Sequence, residues 1–229
     1  MINKIYSFKK ITSTQDFAKK LIKSGLVNSD RVLVTSEIQT KGRGRFNRKW
    51  ISPLGGVYFS LIMKKNDTLL SFKICLAICK TIEYTHNIKV QIRWPNDLIL
   101  NGKKIGGILI EKIEDFSIIG VGINLNTDIE LLPPHSTSLF FETSIYFEKE
   151  KFLNKLLEFI NEYLNYDSKK LIREYKSYSQ VLGKFVKIRS LNKTLEGQVI
   201  DFDSEGALIL RDNFGFKIKL FSSEVVFLR

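Results

Sequence analysis

The run Gln39-Thr40-Lys41-Gly42-Arg43-Gly44-Arg45-Phe46-Asn47-Arg48-Lys49-Trp50 combines what the capture of a small anion requires. Glycines let successive backbone N–H groups converge into a concavity, and guanidinium groups add charge and forked donors that match a carboxylate or phosphate. Trp50 beside them offers a face for a heteroaromatic ring. A bare Gly-Arg-Gly-Arg is better explained as a solvated basic loop. The strands expected on either side and the adjacent Trp shift the balance toward a site. It is not a P-loop, which needs Gly-x-x-x-x-Gly-Lys-Ser/Thr opening a helix.

A second constellation is Arg93-Trp94-Pro95-Asn96-Asp97, followed by Lys103-Lys104-Ile105-Gly106-Gly107-Ile108 and Glu111. Pro95 interrupts a strand, so the polar side chains of Asn96 and Asp97 are expected at an exposed bend, with Lys104 just beyond a hairpin turn. Alone these are an ordinary turn and an ordinary surface lysine. In Gly120-Val121-Gly122-Ile123-Asn124-Leu125-Asn126, paired glycines in a strand suggest close approach of a ligand or of another backbone, and packing alone explains them about as well. No nucleophilic Ser–His or Cys–His pair is visible.

The elements that must carry these residues follow from periodicity. Ser13 and Thr14 open an amphipathic helix over about 13–23, with Phe17, Ala18, Leu21 and Ile22 on one face and a hydroxyl cap at its start. Residues 31–37 and 56–63 are β-branched and aromatic runs that predict two strands joined by the glycine-arginine loop. A second helix is predicted over about 67–86. The block 90–125 reads as an antiparallel meander in which Asn101-Gly102 makes a hairpin. After the break at Leu131-Leu132-Pro133-Pro134, helices at about 149–164 and 167–178 are expected to cover one face of the sheet. Past Gln180 the strands shorten and turn signals recur, which fits a small barrel.

With 229 residues the chain has room for two domains. The expected class is α+β: a mixed, largely antiparallel sheet covered by helices in residues 1–180, and a small β-barrel in 181–229. No segment has the ~20 uninterrupted apolar residues of a membrane helix, and no secretory signal opens the sequence. Cys75 and Cys79 are expected as buried core thiols, and His86 and His135 are not placed with them at metal-site spacing, so neither a disulfide nor a structural metal is expected. The net charge of +12 is spread along the chain rather than gathered on one element, which argues against nucleic-acid binding. Its densest cluster, Lys41 to Lys49, is interrupted by glycines, a pattern that suits a small anion better than a duplex.

Ser13-Thr14, Gln39 through Trp50, Ser52-Pro53-x-Gly55, Trp94-Pro95-Asn96-Asp97, Lys104-Ile105-Gly106-Gly107-Ile108-Leu109-Ile110-Glu111 and Gly122-Ile123-Asn124 together resemble, in order and spacing, the biotin protein ligases. Each motif is weak alone, whereas the ordered set is specific. The resemblance implies a biotin/lipoyl ligase-like catalytic domain to about residue 180 and an SH3-like domain beyond it. It implies that biotin and ATP, with Mg²⁺, give biotinyl-5′-AMP and pyrophosphate. The biotinyl group then passes to one lysine of a biotin carboxyl carrier protein domain of acetyl-CoA carboxylase or a related carboxylase. By motif match, Ser13, Thr14 and Gln39 would bond the ureido end of biotin. The loop from Gly42 to Arg48 would close over carboxylate and phosphates, with Arg43 and Arg45 nearest the reacting centre. Trp50 would pack on adenine, and Asn96 would help place phosphates and Mg²⁺. Lys104 would neutralise charge as two anions meet, Asp97 would contact or deprotonate the acceptor lysine, and Asn124 and Gly107 would complete the pocket wall.

Three positions depart from the family pattern. Gln15 stands where Asn is usual, Asn47 where a glycine is often found, and Arg93 where many members have Lys. With about twelve residues before Ser13, the N-terminal helix-turn-helix of members that double as repressors is not expected, nor is sequence-specific DNA binding. A lipoate or octanoate ligase or transferase shares the catalytic fold, but its arginine-plus-triple-glycine stretch ending in His is not found here. A cytoplasmic enzyme, monomeric or homodimeric, is the expectation.

Overall fold

The computed structural model describes residues 2–27, 30–189, 194–221 and 224–227. Along the chain run β1 (Lys4–Ile11), α1 (Thr14–Lys23), β2 (Val32–Gln39), β3 (Val57–Met63), α2 (Leu70–His86), β4 (Gln91–Arg93), β5 (Asp97–Leu100), β6 (Lys103–Ile113) and β7 (Phe116–Ile123). Then follow α3 (Leu139–Thr143), α4 (Lys149–Leu164), α5 (Ser168–Tyr178), β8 (Phe185–Arg189), β9 (Thr194–Phe202), β10 (Leu208–Arg211), β11 (Lys217–Leu220) and β12 (Glu224–Phe227). Two compact units form, one from Met1–Asp67 and Leu100–Leu157, the other from Thr68–Ile99 and Glu158–Arg229.

In the first unit the strand order is β1-β2-β3-β7-β6. β1 is parallel to β2, and the pairs β2–β3, β3–β7 and β6–β7 are antiparallel, so this part is mixed and largely antiparallel as expected. Every residue of β3 is buried, which its apolar residues Val57-Tyr58-Phe59 and Leu61-Ile62-Met63, interrupted only by Ser60, demand. α1 starts where expected: Ser13 Oγ accepts from the Asp16 backbone N–H at 3.3 Å, a cap worth about 1 kcal/mol. Its Ala18, Leu21 and Ile22 pack with Val32, Val34, Ile62 and Ile118. β1 was not anticipated as a strand. Its alternation is visible only as Tyr6 and Phe8, whose rings meet Phe17 of α1 edge-on with centroids 5.6 and 4.9 Å apart.

The second unit is built around α2, which is apolar on most of its surface and buries Ile74, Ala77, Ile78 and Ile82. Cys75 and Cys79 are free and buried there, and burial pushes both thiols up beyond their ordinary range. β4 pairs antiparallel with β5, and α5 lies against α2 and β4. The C-terminal strands form a five-stranded antiparallel sheet of order β11-β10-β9-β8-β12, the SH3-like part, of which β12 had not been anticipated. Phe202 of β9 meets Phe72 of α2 at 5.9 Å and Tyr175 of α5 at 5.2 Å, edge-on in both cases. One aromatic core therefore joins α2, α5 and the C-terminal sheet.

Candidate ligand-binding site

At the start of α1 the first unit holds a string of polar side chains. The Gln39 side-chain oxygen accepts from Thr14 N at 2.8 Å, while its amide donates to Ser52 Oγ at 3.0 Å. Thr14 Oγ1 lies 2.9 Å from Ser60 Oγ and 3.1 Å from Gln39 Oε1, and has one proton to give. Ser60 Oγ donates to Gln15 Oε1 at 2.9 Å, so it is free to accept from Thr14, and Gln39 Oε1 is already served by the Thr14 N–H. The direction Thr14 to Ser60 to Gln15 satisfies all of them, and Gln15 Nε2 passes the chain to the Ile118 carbonyl at 3.2 Å. Ser13, Thr14, Gln15 and Ser60 are buried. In this environment polar groups are matched in direction, which is what discriminates a ligand with donors and acceptors of its own from an apolar one.

Gln39 leads into the glycine-arginine loop. A Cβ on Gly42 would lie 2.5 Å from Trp50 O and 2.7 Å from Ser52 Oγ, so only glycine fits. The loop doubles back: Trp50 N donates to Gly42 O at 2.9 Å and Gly44 N to Arg48 O at 2.7 Å, with a 3-10 turn over Arg45–Asn47. Asn47 has φ 57°, the left-handed conformation for which a glycine is usual, and Asn tolerates it. Arg43 Nη2 is 2.7 Å from Asp16 Oδ1 and 3.2 Å from Glu111 Oε2. Arg45 is half-buried, with its guanidinium 4.9 Å from the Phe46 ring centroid, and Arg48 is exposed.

Trp50 lies close against the sheet, and two glycines make room for it. Gly107 of β6 is paired in register with Gly122 of β7. A Cβ on Gly122 would lie 2.6 Å from Trp50 Cε2 and 3.0 Å from Cζ2, and one on Gly107 would lie 3.3 Å from Lys104 Cε and 3.6 Å from Trp50 Cζ3. The Lys104 ammonium is 5.3 Å from the Trp50 ring centroid, within cation–π range. Lys104 is anchored by its own backbone, which accepts from Thr137 N at 2.9 Å and donates to His135 O at 3.0 Å. Asn124 holds the same segment by donating to the Thr137 carbonyl at 3.0 Å. Its Oδ1, together with Trp50 Nε1 and Arg43 Nε, is buried without a hydrogen-bond partner among the described residues. Unsatisfied atoms on Trp50 and Asn124, beside Lys104 and the glycine pair, are more typical of a binding site than of a finished core.

Asn96 and Asp97 belong to the second unit. The bend is tightly held there. Trp94, buried and joined to Pro95 by a cis peptide, donates its indole N–H to Gly206 O at 3.1 Å. Pro95 O accepts from Ser71 Oγ at 2.9 Å, and Asp97 pairs with Arg93 at 3.1 Å. Arg93, a departure from the family pattern, thus forms an ion pair across the bend.

The expected residues Thr14, Gln39, Gly42, Trp50, Lys104, Gly107 and Asn124 come together in the first unit. Ser13 contributes by capping α1, and Gln15 serves the buried chain, its Oε1 lying 2.6 Å from where a Cβ on Gly120 would be. Sequence reasoning gave no role to Ser60, Asp16 or Glu111. The signal for Ser60 was a polar residue inside the apolar run of β3. Glu111 had been noted only as the end of the Lys104 motif, and nothing local marked Asp16. Among the described residues no group of three or more His, Cys, Asp or Glu side chains is arranged to hold a metal, and no helix is long and apolar enough to cross a membrane.

The biotin/lipoate A/B protein ligase family model matches residues 7–128, and the model of the biotin protein ligase C-terminal domain matches residues 181–229. The bifunctional ligase/repressor BirA of Bacillus subtilis is 31% identical over 94% of this chain and 71% of its own length. The biotin--[acetyl-CoA-carboxylase] ligase of Mycobacterium tuberculosis is 26% identical over 87% of this chain and 80% of its own. Among solved structures, the biotin protein ligase of Aquifex aeolicus in complex with biotin and ATP superposes with a TM-score of 0.87 at 27% identity, covering 98% of each chain.

Proposed function

Because the chain belongs to the biotin/lipoate A/B protein ligase family, we propose that it is an ATP-dependent biotin protein ligase acting in two steps. In the first, a biotin carboxylate oxygen attacks the α-phosphorus of ATP and pyrophosphate leaves, giving biotinyl-5′-AMP. In the second, a lysine amine of a biotin carboxyl carrier protein domain attacks the acyl carbonyl, loses its proton and releases AMP. The acceptor belongs to acetyl-CoA carboxylase or a related carboxylase. The observation that carries this reading is the continuity of these side chains along the first unit. A directional hydrogen-bond string ends at Thr14 and Gln39, and the lysine-capped Trp50 floor begins where Gln39 meets Gly42.

In this reading Thr14 and Gln39 receive the ureido group, with Ser13 fixing the helix start that presents Thr14. Gly42 and the main chain as far as Arg43 face the carboxylate. Arg45, Arg48 and Lys104 meet charge that develops as two anions approach, and preorganised positive charge is what that step most needs. Trp50 packs against adenine, and Gly107 and Asn124 line the wall. Asn96 would supply an oxygen for Mg²⁺, which when bound with ATP would offset phosphate charge and would need few protein oxygens. Asp97 contacts the incoming lysine, which its ordinary pKa of about 10.4 leaves protonated. Residues 1–180 act as the catalytic domain and 181–229 as the SH3-like domain, in a cytoplasmic monomer or homodimer without nucleic acid.

The test is to incubate the protein with biotin, MgATP and a carrier domain and to weigh the carrier by mass spectrometry. A gain of one biotinyl group supports the reading. No gain, with a carrier shown competent by another ligase, or a gain with lipoate or octanoate instead, refutes it.

A further inference from the structure

Arg43 differs from the rest of the loop in that two carboxylates of the protein converge on its guanidinium. Asp16 in the first turn of α1 approaches Nη2 at 2.7 Å, and Glu111 of β6 does so at 3.2 Å. Lys19, on α1, takes the other oxygen of Glu111 at 2.7 Å. Two cations thus balance two anions. Each pair is partly exposed and weak alone, but two carboxylates that meet the same nitrogen, Nη2, pin that end of the guanidinium between α1 and β6. Arg43 also stands at the neck of the loop, where it bridges Lys49 and where the Trp50–Gly42 bond closes the turn. Burial would raise the Glu111 carboxyl, yet hydrogen bonds from Lys19 and Gln15 and the charge of Arg43 outweigh it and hold it below the ordinary carboxylate range. Glu111 therefore meets Arg43 and Lys19 as a carboxylate at neutral pH.

We propose that Asp16 and Glu111 are positioning residues that clasp Arg43 and hold the glycine-arginine loop in place before any anion arrives. Arg43 then anchors the loop, and the ligand's charges fall to Arg45, Arg48 and Lys104. Two carboxylates beside Arg43 neutralise it and repel a triphosphate, so an anion settles further along the loop. The clasp ties the loop to α1, which carries Thr14, and to β6, which carries Lys104 and Gly107. One cluster thereby aligns both ends of the site. This functional consequence rests on the ligase reading; the clasp itself does not.

Asp16→Asn and Glu111→Gln, singly and together, test it on the ligand-free chain through the rate of trypsin cleavage within residues 41–49, and then through biotin affinity. The clasp predicts cleavage about three- to tenfold faster in the double variant and biotin bound more weakly to a similar degree, with melting temperature reporting that the fold is kept. The exchange Arg43→Glu with Glu111→Arg should restore part of what Arg43→Glu alone loses. Unchanged cleavage overturns the proposal, as does tighter biotin binding in the double variant, the mark of acids that hold Arg43 away from the anion. If the unsubstituted protein binds no biotin while cleavage still accelerates in the variants, the ligase reading fails and the clasp stands.

Discussion

Gly122→Ala is the smallest change that should damage the site. The added Cβ would lie 2.6 Å from Trp50 Cε2 and 3.0 Å from Cζ2, with Nε1 closer still. Carbon atoms in contact prefer about 3.5–4.0 Å, so the indole must move by about 1 Å. β7 cannot give way instead, because Gly122 is hydrogen-bonded between β3 and β6, in register with Tyr58 and Gly107. Overpacking of this kind costs about 1–3 kcal/mol. If Trp50 carries the adenine, a displacement at the low end of that range lowers kcat/KM for MgATP about tenfold, since 1.4 kcal/mol is one decade. The assay is pyrophosphate release at varied ATP and saturating biotin. Trp50→Ala removes the collision, so Gly122→Ala should add little in the Trp50→Ala background, a coupling that a double-mutant cycle measures. Full activity in Gly122→Ala, or additive losses in the double variant, would refute the reasoning.

Three further outcomes follow from the same geometry. Lys104→Ala should bind biotin through Thr14 and Gln39 yet form the adenylate at least about a hundredfold more slowly, the scale of removing one preorganised charge donor; a single-turnover rate near that of the unsubstituted protein would contradict it. Trp94→Phe keeps a six-membered ring but removes the pyrrole half with its N–H, leaving the Gly206 carbonyl without its donor and opening a small cavity, so urea unfolding should show a loss of at least about 1–3 kcal/mol; a loss below about 0.5 would mean that neither the bond nor the packing contributes much. Because Glu111 titrates below its ordinary value of 4.5 in the folded chain, its contribution to stability is complete above that value and fades as pH falls through the folded value. The melting-temperature gap between the protein and Glu111→Gln should therefore be present at pH 7 and close in acid; a gap independent of pH would exclude the ion pairs as its source.

The elements that the sequence by itself determined are those encoded within a few residues. Periodicity and a hydroxyl cap set α1, a buried apolar run set β3, and Asn101-Gly102 turned the chain with φ of 50° and 78°. The ordered motifs also singled out Gln39, Trp50, Lys104, Gly107 and Asn124, which all fall in the first unit. The tertiary structure decided what those residues touch. Strand register, which no local pattern reports, placed Gly107 opposite Gly122 and so made room for Trp50. Ser60 came to face Gln15 and Thr14 because β3 is central. Arg43 read as an anion ligand beside its glycines, and it met Asp16 and Glu111 only when α1 and β6 were brought to the same loop. Charge acts through space over a few ångströms, and the residues that share that space lie far apart along the chain.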